Sequence, residues 1–306
     1  MKKILFASTA LIATAGVAAA EVSFGGYGRF GLQYNEGATG TEKETRLEQR
    51  FRLNITASAE TDAGVVFGGR IRLQTGEENE GGAGGDGPGA AEFNVTYGGF
   101  RLDVGGTADL LDSGDVVKFY GYGVGLTAIV EQANAFEGFD ASGFAGSSDT
   151  TAQKVKVVYS VGDFTVGASY TEDNEAASVD SYYQIGFGYD FGAVAAGALY
   201  GERDNAASES YWILGLSGDL GPVQYNLTVG ESDGQDEVAY GLSAAYAVSS
   251  ATTLTAVVAD SGDDAADTVF GLGFNHGLGG GVSLRGGVGQ NTGGDTEADL
   301  GVRFDF

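Results

Sequence analysis

The sequence predicts an all-β fold, a transmembrane antiparallel β-barrel of about sixteen strands. Three observations indicate it. Polar and apolar residues alternate along nearly the whole chain, the connections between alternating segments are short and long in turn, and aromatic residues form two bands along the segments. Together these features predict a sheet with one face toward lipid and the other toward water.

The alternation begins at the first segment, where Phe24, Phe30 and Leu32 fall on one face and Tyr27 and Arg29 on the other. A period of two residues is the signature of a strand with one apolar face, and no competing helical period is present. The same pattern predicts strands over 22–35, 45–60, 64–75, 91–98, 100–107, 153–160, 164–172, 181–191, 194–203, 210–219, 222–231, 237–248, 252–260, 268–277, 282–290 and 297–306.

The connections support a membrane barrel over a soluble sandwich. Turns of two or three residues, such as 98–99 and 191–193, alternate with longer polar loops, the longest over 108–152. Short turns at one rim and long loops at the other are typical of outer-membrane barrels. A soluble sandwich gives no reason for this alternation.

Aromatic residues decide which face is turned outward. Along the apolar face, Tyr97, Tyr159 and Tyr189 fall near the short-turn ends of their strands, and Tyr34 and Trp212 fall near the long-loop ends. Amphipathic rings settle at the two membrane interfaces, so an aliphatic belt between two aromatic bands indicates a surface facing lipid. The polar face then lines the interior, and sixteen strands leave an interior wide enough for water.

The N-terminus predicts a secretory signal over residues 1–20, followed by a single barrel domain over 21–306. Lys2 and Lys3 precede an apolar run that ends at small residues before Glu21, which is the order of a cleaved signal. The formal net charge of −26 excludes nucleic-acid binding through a phosphate-neutralising surface. The chain has no cysteine, which excludes disulfides and thiolate metal sites.

Four stretches of the sequence resemble those of the general bacterial porins, specifically the alphaproteobacterial sixteen-stranded trimeric type. They are the opening strand EVSFGGYGRFGLQYN, the arginine-bearing RLEQRFRLNITASAETDAGVVFGGRIRL, the loop entry GGFRLDVGGTADL and the ending ADLGVRFDF. The resemblance implies an outer-membrane homotrimer that lets small hydrophilic solutes and ions diffuse passively. It also implies that the third loop, 108–152, folds into the lumen as a constriction loop, although the PEFG-type loop motif of enterobacterial porins is absent.

Charge placement predicts how such a channel would act on solutes. A basic wall is expected on the inward face of the first five strands, formed by Arg29, Arg46, Arg50, Arg52, Arg70, Arg72 and Arg101. Acidic residues of the third loop should oppose it: Asp109, Asp112, Asp115, Glu131, Glu137 and Asp140. Such an arrangement produces a transverse field, and charged rings are a known source of selectivity. The excess of acid predicts weak cation selectivity.

Alternatives remain open at this point. Asp109, Asp112 and Asp115 are close enough in sequence to suggest a structural Ca²⁺ site, and no other cofactor is expected. A substrate-specific channel, an adhesin and a barrel hydrolase are rival functions. The hydrolase would need a nucleophile beside a base, and the single histidine, His276, falls at a lipid-facing or rim position. We therefore expect no enzyme activity.

Overall fold

The computed structural model describes residues 20–40, 42–76, 88–144, 152–173, 181–204, 209–235 and 237–306. The predicted signal lies almost wholly outside these ranges, as do parts of several long loops. Among the described residues, no helix has the length and apolar character that crossing a membrane would require.

Sixteen antiparallel strands make up the wall, which confirms the predicted fold class. They are β1 (Glu21–Asn35), β2 (Thr45–Glu60), β3 (Val66–Gly76), β4 (Glu92–Tyr97), β5 (Phe100–Gly105), β6 (Ala152–Val161), β7 (Phe164–Asp173), β8 (Ser181–Asp190), β9 (Val194–Asp204), β10 (Ser210–Leu220), β11 (Val223–Ser232), β12 (Ala239–Ala247), β13 (Thr252–Asp260), β14 (Val269–Gly279), β15 (Val282–Gln290) and β16 (Thr296–Asp305).

Each strand pairs with its neighbours in sequence, and the sheet closes when β1 pairs with β16 as well as with β2. The closing register sets Arg29 opposite Arg303 and Gln33 opposite Asp299. Closure leaves no unpaired edge, which a sheet in hydrocarbon requires because no water can reach the free backbone groups.

The predicted boundaries agree with the observed ones to within about two residues. One of the differences of two residues is at the end of β5, which is predicted to continue to residue 107 and ends at Gly105. Gly105 has a φ of 96°, a conformation that takes the backbone out of the extended region and is accessible mainly to glycine. The chain therefore leaves the wall two residues early.

The two faces of the wall differ sharply in chemistry. One face exposes large apolar side chains along every part of the barrel, among them Phe24, Leu47, Phe93 and Leu272, each more than half exposed. A soluble protein rarely exposes so continuous an apolar surface, so this face fits lipid. The alternate residues form the opposite face, called here the polar face, on which charged and hydroxyl side chains are largely buried.

The buried apolar core does not lie within the wall itself. It lies where residues 106–144, the described part of the third loop and called here the long segment, pack against the polar face. This segment contains a short helix, α1 (Leu110–Ser113), and a 3₁₀ turn over Gln132–Ala135. Because the buried core lies at this contact, the candidate site is centred on the contact between the long segment and the wall.

Candidate functional site

All seven predicted arginines lie on the polar face. The cross-strand pairs show this directly, because Arg29 lies opposite Arg50, and Arg52 opposite Gln74. Antiparallel partners share a face of the sheet. The alternation that places Phe30 and Phe51 on the exposed face therefore places these arginines on the other.

The partners of the arginines fall into two groups. Arg29 forms an ion pair of 2.7 Å with Glu48, and Arg70 one of 2.9 Å with Glu92. Arg52 instead donates to the neutral amide oxygen of Gln74 at 2.6 Å. Two further arginines have neutral partners as well: Arg72 donates to Asn54 at 3.3 Å, and Arg46 to Gln33 at 3.1 Å.

Two more arginines, Arg285 and Arg303, lie beside these across the closure of the barrel, and Arg303 forms an ion pair of 2.7 Å with Asp305. The guanidinium carbon of Arg303 lies 3.9 Å from the ring centroid of Tyr27, whose ring also lies 5.2 Å from the guanidinium carbon of Arg52. Arg285 is on the polar face of β15, opposite Asn275. We call Arg29, Arg50, Arg52, Arg72, Arg285 and Arg303 the arginine cluster. Arg285 and Arg303 are not among the arginines predicted from the sequence, although closure of a barrel always sets the last strand beside the first.

Arg101 lies apart from the cluster and has different partners. It forms ion pairs with Asp103 and with Asp115 of the long segment. Lys156, which is 3% exposed, adds a contact of 3.1 Å to Asp115. Lys156 and Lys154 are not among the basic residues predicted from the sequence. Extending the two-residue alternation along β6 would have placed both on the polar face.

The long segment is fastened to the wall by hydrogen bonds from buried polar side chains. The Asp299 carboxylate on β16 accepts from the backbone amides of Leu126 and Thr127, each at 2.8 Å. The Gln132 side-chain nitrogen donates to Asn226 at 2.6 Å and to Thr228 at 3.0 Å. These bonds satisfy backbone and amide groups that would otherwise be buried without partners.

A third side chain anchors the other end of the segment. The Gln184 side-chain oxygen on β8 accepts from the backbone amide of Leu111 at 3.0 Å, and its nitrogen donates to the backbone oxygen of Asp140 at 2.7 Å. Ser169 on β7 accepts from the Leu110 amide at 3.0 Å. The anchors together reach strands from β7 round to β16.

Glycines of the polar face make this close packing possible. A methyl group at Gly197 would lie 1.8 Å from the carbonyl oxygen of Val116, and one at Gly287 would lie 2.5 Å from the Val124 side chain. The same crowding by the long segment holds along a series that we call the glycine track: Gly31, Gly167, Gly186, Gly197, Gly215, Gly230, Gly241, Gly271, Gly287, Gly289 and Gly301. Only the absence of side chains here lets the apolar residues of the segment reach the wall.

The six predicted acidic residues have different surroundings. Asp109 is 0% exposed and caps α1: its carboxylate accepts from the amides of Asp112 and Ser142, at 2.7 and 2.6 Å, and from the Tyr182 hydroxyl at 3.0 Å. Burial raises the pKa of Asp109 to about 6. Asp140 forms an ion pair with Arg203 on β9.

Two other carboxylates show opposite effects of their surroundings. Burial and the charge of Asp112 raise the pKa of Glu131 to about 7. Burial would also raise the pKa of Asp115, but the charge of Lys156, a hydrogen bond from Ser113 and the charge of Arg101 outweigh it and hold that pKa below its ordinary value.

The six carboxylates do not all face the predicted basic wall in the same way. Asp115 forms an ion pair with Arg101, a predicted member of that wall, whereas Asp140 pairs with Arg203 on β9 and Asp109 is enclosed in the contact between segment and wall. Among the described residues, Asp112, Glu131 and Glu137 form no ion pair, and Asp112 accepts from the Tyr120 hydroxyl at 2.8 Å. The physical reason is that a carboxylate buried against the wall needs local partners.

The long segment also contacts two of the arginines through an aromatic ring. The Phe144 ring centroid lies 3.9 Å from the guanidinium carbon of Arg70 and 4.5 Å from that of Arg72. Arg72 also donates to the Phe144 backbone oxygen at 3.5 Å. A cation over a ring face is stabilised by the ring quadrupole.

The suggested Ca²⁺ site is not supported by this geometry. Asp109, Asp112 and Asp115 turn to different partners, and within the described ranges no three acidic or histidine side chains converge in a way that could hold a metal ion. His276 lies on the apolar face of β14, with its Nδ1 2.8 Å from the Thr252 hydroxyl.

Known proteins share this architecture over nearly the whole chain. A family model described as Gram-negative porin matches residues 7–296. A porin of Fuscovulum blasticum is 29% identical over 296 residues, covering 94% of this chain and all of the relative. A porin of Rhodobacter capsulatus is 29% identical over 321 residues with the same coverage.

Solved structures agree with the sequence relatives. A triple mutant of Rhodopseudomonas blastica porin matches with a TM-score of 0.79 at 26% identity, covering 93% of this chain and all of that one. A second mutant of the same porin matches with a TM-score of 0.77 at 26% identity and the same coverage.

Proposed function

This chain belongs to the Gram-negative porin family, and from that premise we propose how its channel sorts solutes. As a porin it is a general diffusion channel of the bacterial outer membrane, through which small hydrophilic solutes and ions pass. The proposal concerns the waist of the channel, its ion preference and its assembly.

The long segment is proposed to cross the lumen and set the narrowest cross-section. The observation that carries this is its contact with the polar face over many strands, from Gly167 on β7 round to Gly31 on β1. A segment touching that much of a closed wall on its inner side leaves passage only beside the remaining strands. Those are β2 to β6, which the segment meets only through long side chains such as Arg72, Arg101 and Lys156. These strands carry most of the predicted basic wall.

Solutes would therefore pass between the arginine cluster and the side of the long segment that is turned away from its contact with the wall. Arg52 and Arg72 have amide partners and keep their net charge, while Asp112 and Glu131 contribute the acidic side. Opposed charges across a narrow gap favour polar solutes that align with the field and disfavour apolar ones.

Weak cation selectivity is proposed for the whole channel. Arg29 and Arg70 form ion pairs with Glu48 and Glu92, and these pairs reduce the attraction of the basic wall for anions. The chain carries 42 acidic residues against 16 basic ones. Exposed carboxylates at the long-loop rim, such as Glu36 and Asp233, would concentrate cations before they enter.

Two further expectations, on the oligomeric state and on enzyme activity, complete the proposal. A homotrimer is proposed on the family resemblance, and cross-linking of the purified protein followed by gel electrophoresis tests it. The chain is proposed to act as a passive channel and not as an enzyme. The family supports this, and so does the position of His276 on the apolar face beside Thr252.

The test is the reversal potential in a planar bilayer under a salt gradient. Wild-type protein should show a small cation preference. Replacing Arg52→Ser should increase the cation-to-anion permeability ratio about twofold, because one unit charge several ångströms from the ion path is worth a few tenths of a kcal/mol in water.

A matched control is Arg46→Ser, which removes the same charge six residues nearer the long-loop rim on the same strand. It should shift the ratio less, because the channel is expected to be wider there. Clear anion preference in the wild type, or equal shifts in the two variants, would contradict the proposed waist.

A further inference from the structure

A cavity of about 140 Å³ lies between the long segment and the wall, on the side of the short turns. Val116 and Val117 of the segment line one side of it. On the wall, Ser217 of β10 lies opposite both Ala195 of β9 and Asn226 of β11, so these residues share one row of the polar face. A cavity of about 150 Å³ can hold a single six-membered ring, so this one has room for a small cyclic molecule.

The side-chain amide of Asn226 brings an unpaired donor to this cavity. Asn226 is 1% exposed, and its Oδ1 accepts from the Gln132 side-chain nitrogen at 2.6 Å. Its Nδ2 has no hydrogen-bond partner in the described part of the chain. A buried donor without a partner costs free energy. An acceptor placed in the cavity would therefore stabilise the site.

The long segment brings a cation to the same end of the cavity. Val116 lies over Gly188 of β8. Val117 lies over Gly215 of β10, so the segment runs toward β11, and Lys118 follows. Lys118 lines the cavity, is exposed, and forms no ion pair within the described ranges. Its ammonium group is therefore a second donor near the unpaired amide.

Two carboxylates line the opposite end of the cavity. Asp190 of β8 lies opposite Ala195, and Asp163 lies in the short turn between β6 and β7. Both side chains are exposed, and neither forms an ion pair among the residues that the structure describes. The Asp190 Oδ1 accepts from the Gly192 amide at 2.7 Å, which leaves Oδ2 to accept from a ligand. The cavity thus has acceptors near β8 and donors near β11.

We propose that this cavity binds a small neutral polyol of the size of a pentose ring. Each hydroxyl both donates and accepts, so one ring can donate to the two carboxylates and accept from Asn226 and Lys118. An ammonium ion has no lone pair for the Asn226 amide, and an anion would be repelled by Asp163 and Asp190. The site goes beyond the channel function, because it lies against β7 to β11 and away from the proposed path along β2 to β6.

Ligand-observed NMR tests the proposal directly. The folded protein is held in deuterated detergent micelles, and saturation transfer from its methyl groups to the protons of added D-xylose is measured at increasing xylose concentration. We expect the transfer to saturate with a dissociation constant on the order of millimolar, as for a ligand held by a few hydrogen bonds. L-proline, a zwitterion of similar size, should bind more weakly.

Variants separate the parts of the site. Asn226→Asp keeps an acceptor for Gln132 but removes the unpaired donor, and Lys118→Met removes the second donor. Each should raise the dissociation constant for xylose about threefold, the size of one hydrogen bond that competes with water. The matched control Lys43→Met removes an exposed lysine from the long loop after β1 and should leave the constant unchanged. Ala195→Leu should fill the cavity and abolish binding.

Heat-modifiable mobility on gels verifies that each variant is folded. Absence of saturable transfer to xylose in the wild type would overturn the proposal and would mean that water alone fills the cavity. Unchanged binding in Ala195→Leu, or tighter binding of proline than of xylose, would overturn it as well. The proposed waist and ion preference are measured separately, by reversal potentials without sugar, so failure of one proposal is distinguishable from failure of the other.

Discussion

Replacing Gly197→Ala is the sharpest test of how the waist is built. The added methyl group would lie 1.8 Å from the Val116 carbonyl oxygen, whereas ordinary contact begins at 3.4 Å. The backbone of the long segment must therefore move away from the wall by about 1.5 Å. Overpacking of this kind costs about 1–3 kcal/mol in a well-packed core.

The direction of the movement follows from the anchors. Gln184, Gln132 and Asp299 hold the segment at points away from Val116, so it should bow into the passage while its ends stay fixed. We expect a lower single-channel conductance in planar bilayers and slower swelling of liposomes in the larger sugars. The denaturant midpoint of unfolding should also fall.

A matched substitution isolates the cause. Gly25→Ala adds the same methyl group to the polar face of β1, where its nearest neighbour, the Phe306 backbone oxygen, would be 3.6 Å away. This variant should match the wild type in conductance and stability. If Gly197→Ala and Gly25→Ala gave the same conductance as the wild type, the segment would not be seated on the glycine track, and the reasoning would be refuted.

Three further predictions concern the polar anchors and charges of the long segment. Asp299→Ala removes the acceptor of two backbone amides, and each bond to a charged group is worth about 1.5–3 kcal/mol. We expect noisier single-channel currents from the variant than from the wild type, and variant currents as quiet as those of the wild type would contradict this. The raised pKa values of Asp109, about 6, and Glu131, about 7, mean that both carboxyls gain charge as pH rises from 5 to 8, so cation preference should rise over that range. The rise in cation preference should be smaller in Glu131→Gln. A cation preference that does not change with pH in the wild type would contradict this prediction. Because the folded pKa values lie above the ordinary ones, the same deprotonation should lower the free energy of unfolding as pH rises through this window. Lys156→Gln removes one of the two cations that pair with Asp115, in a buried site where breaking an ion pair costs about 3–5 kcal/mol. We expect the urea midpoint of unfolding to fall. An unchanged midpoint would show that Arg101 alone is enough to stabilise the Asp115 carboxylate.

The wall of the barrel could be predicted from the sequence because its determinants are local. Alternation sets which face a residue occupies, and turn residues set where a strand ends, so all sixteen strands were located to within about two residues. The position of Arg29, Arg52 and Arg70 on the polar face followed from the same alternation. Their role in selectivity is still a prediction.

The long segment could not be predicted in the same way because its path depends on distant contacts. The chain has 54 glycines, and the alternation places Gly197 and Gly287 within strands but gives no signal that the long segment packs against them. The partners of Asp115 and Asp140 include Lys156 and Arg203, on strands that follow the segment in sequence, and no local pattern indicates that these side chains meet.

What the sequence determined by itself was the barrel, its membrane setting and the face on which each charge lies, since a period of two residues is a property of the chain alone. The tertiary structure decided which charges meet. Closure brought Arg303 to Tyr27, and the glycine track let the long segment approach closely enough for burial to raise the pKa of Asp109. Both depend on residues far apart in sequence becoming neighbours, which no local pattern encodes.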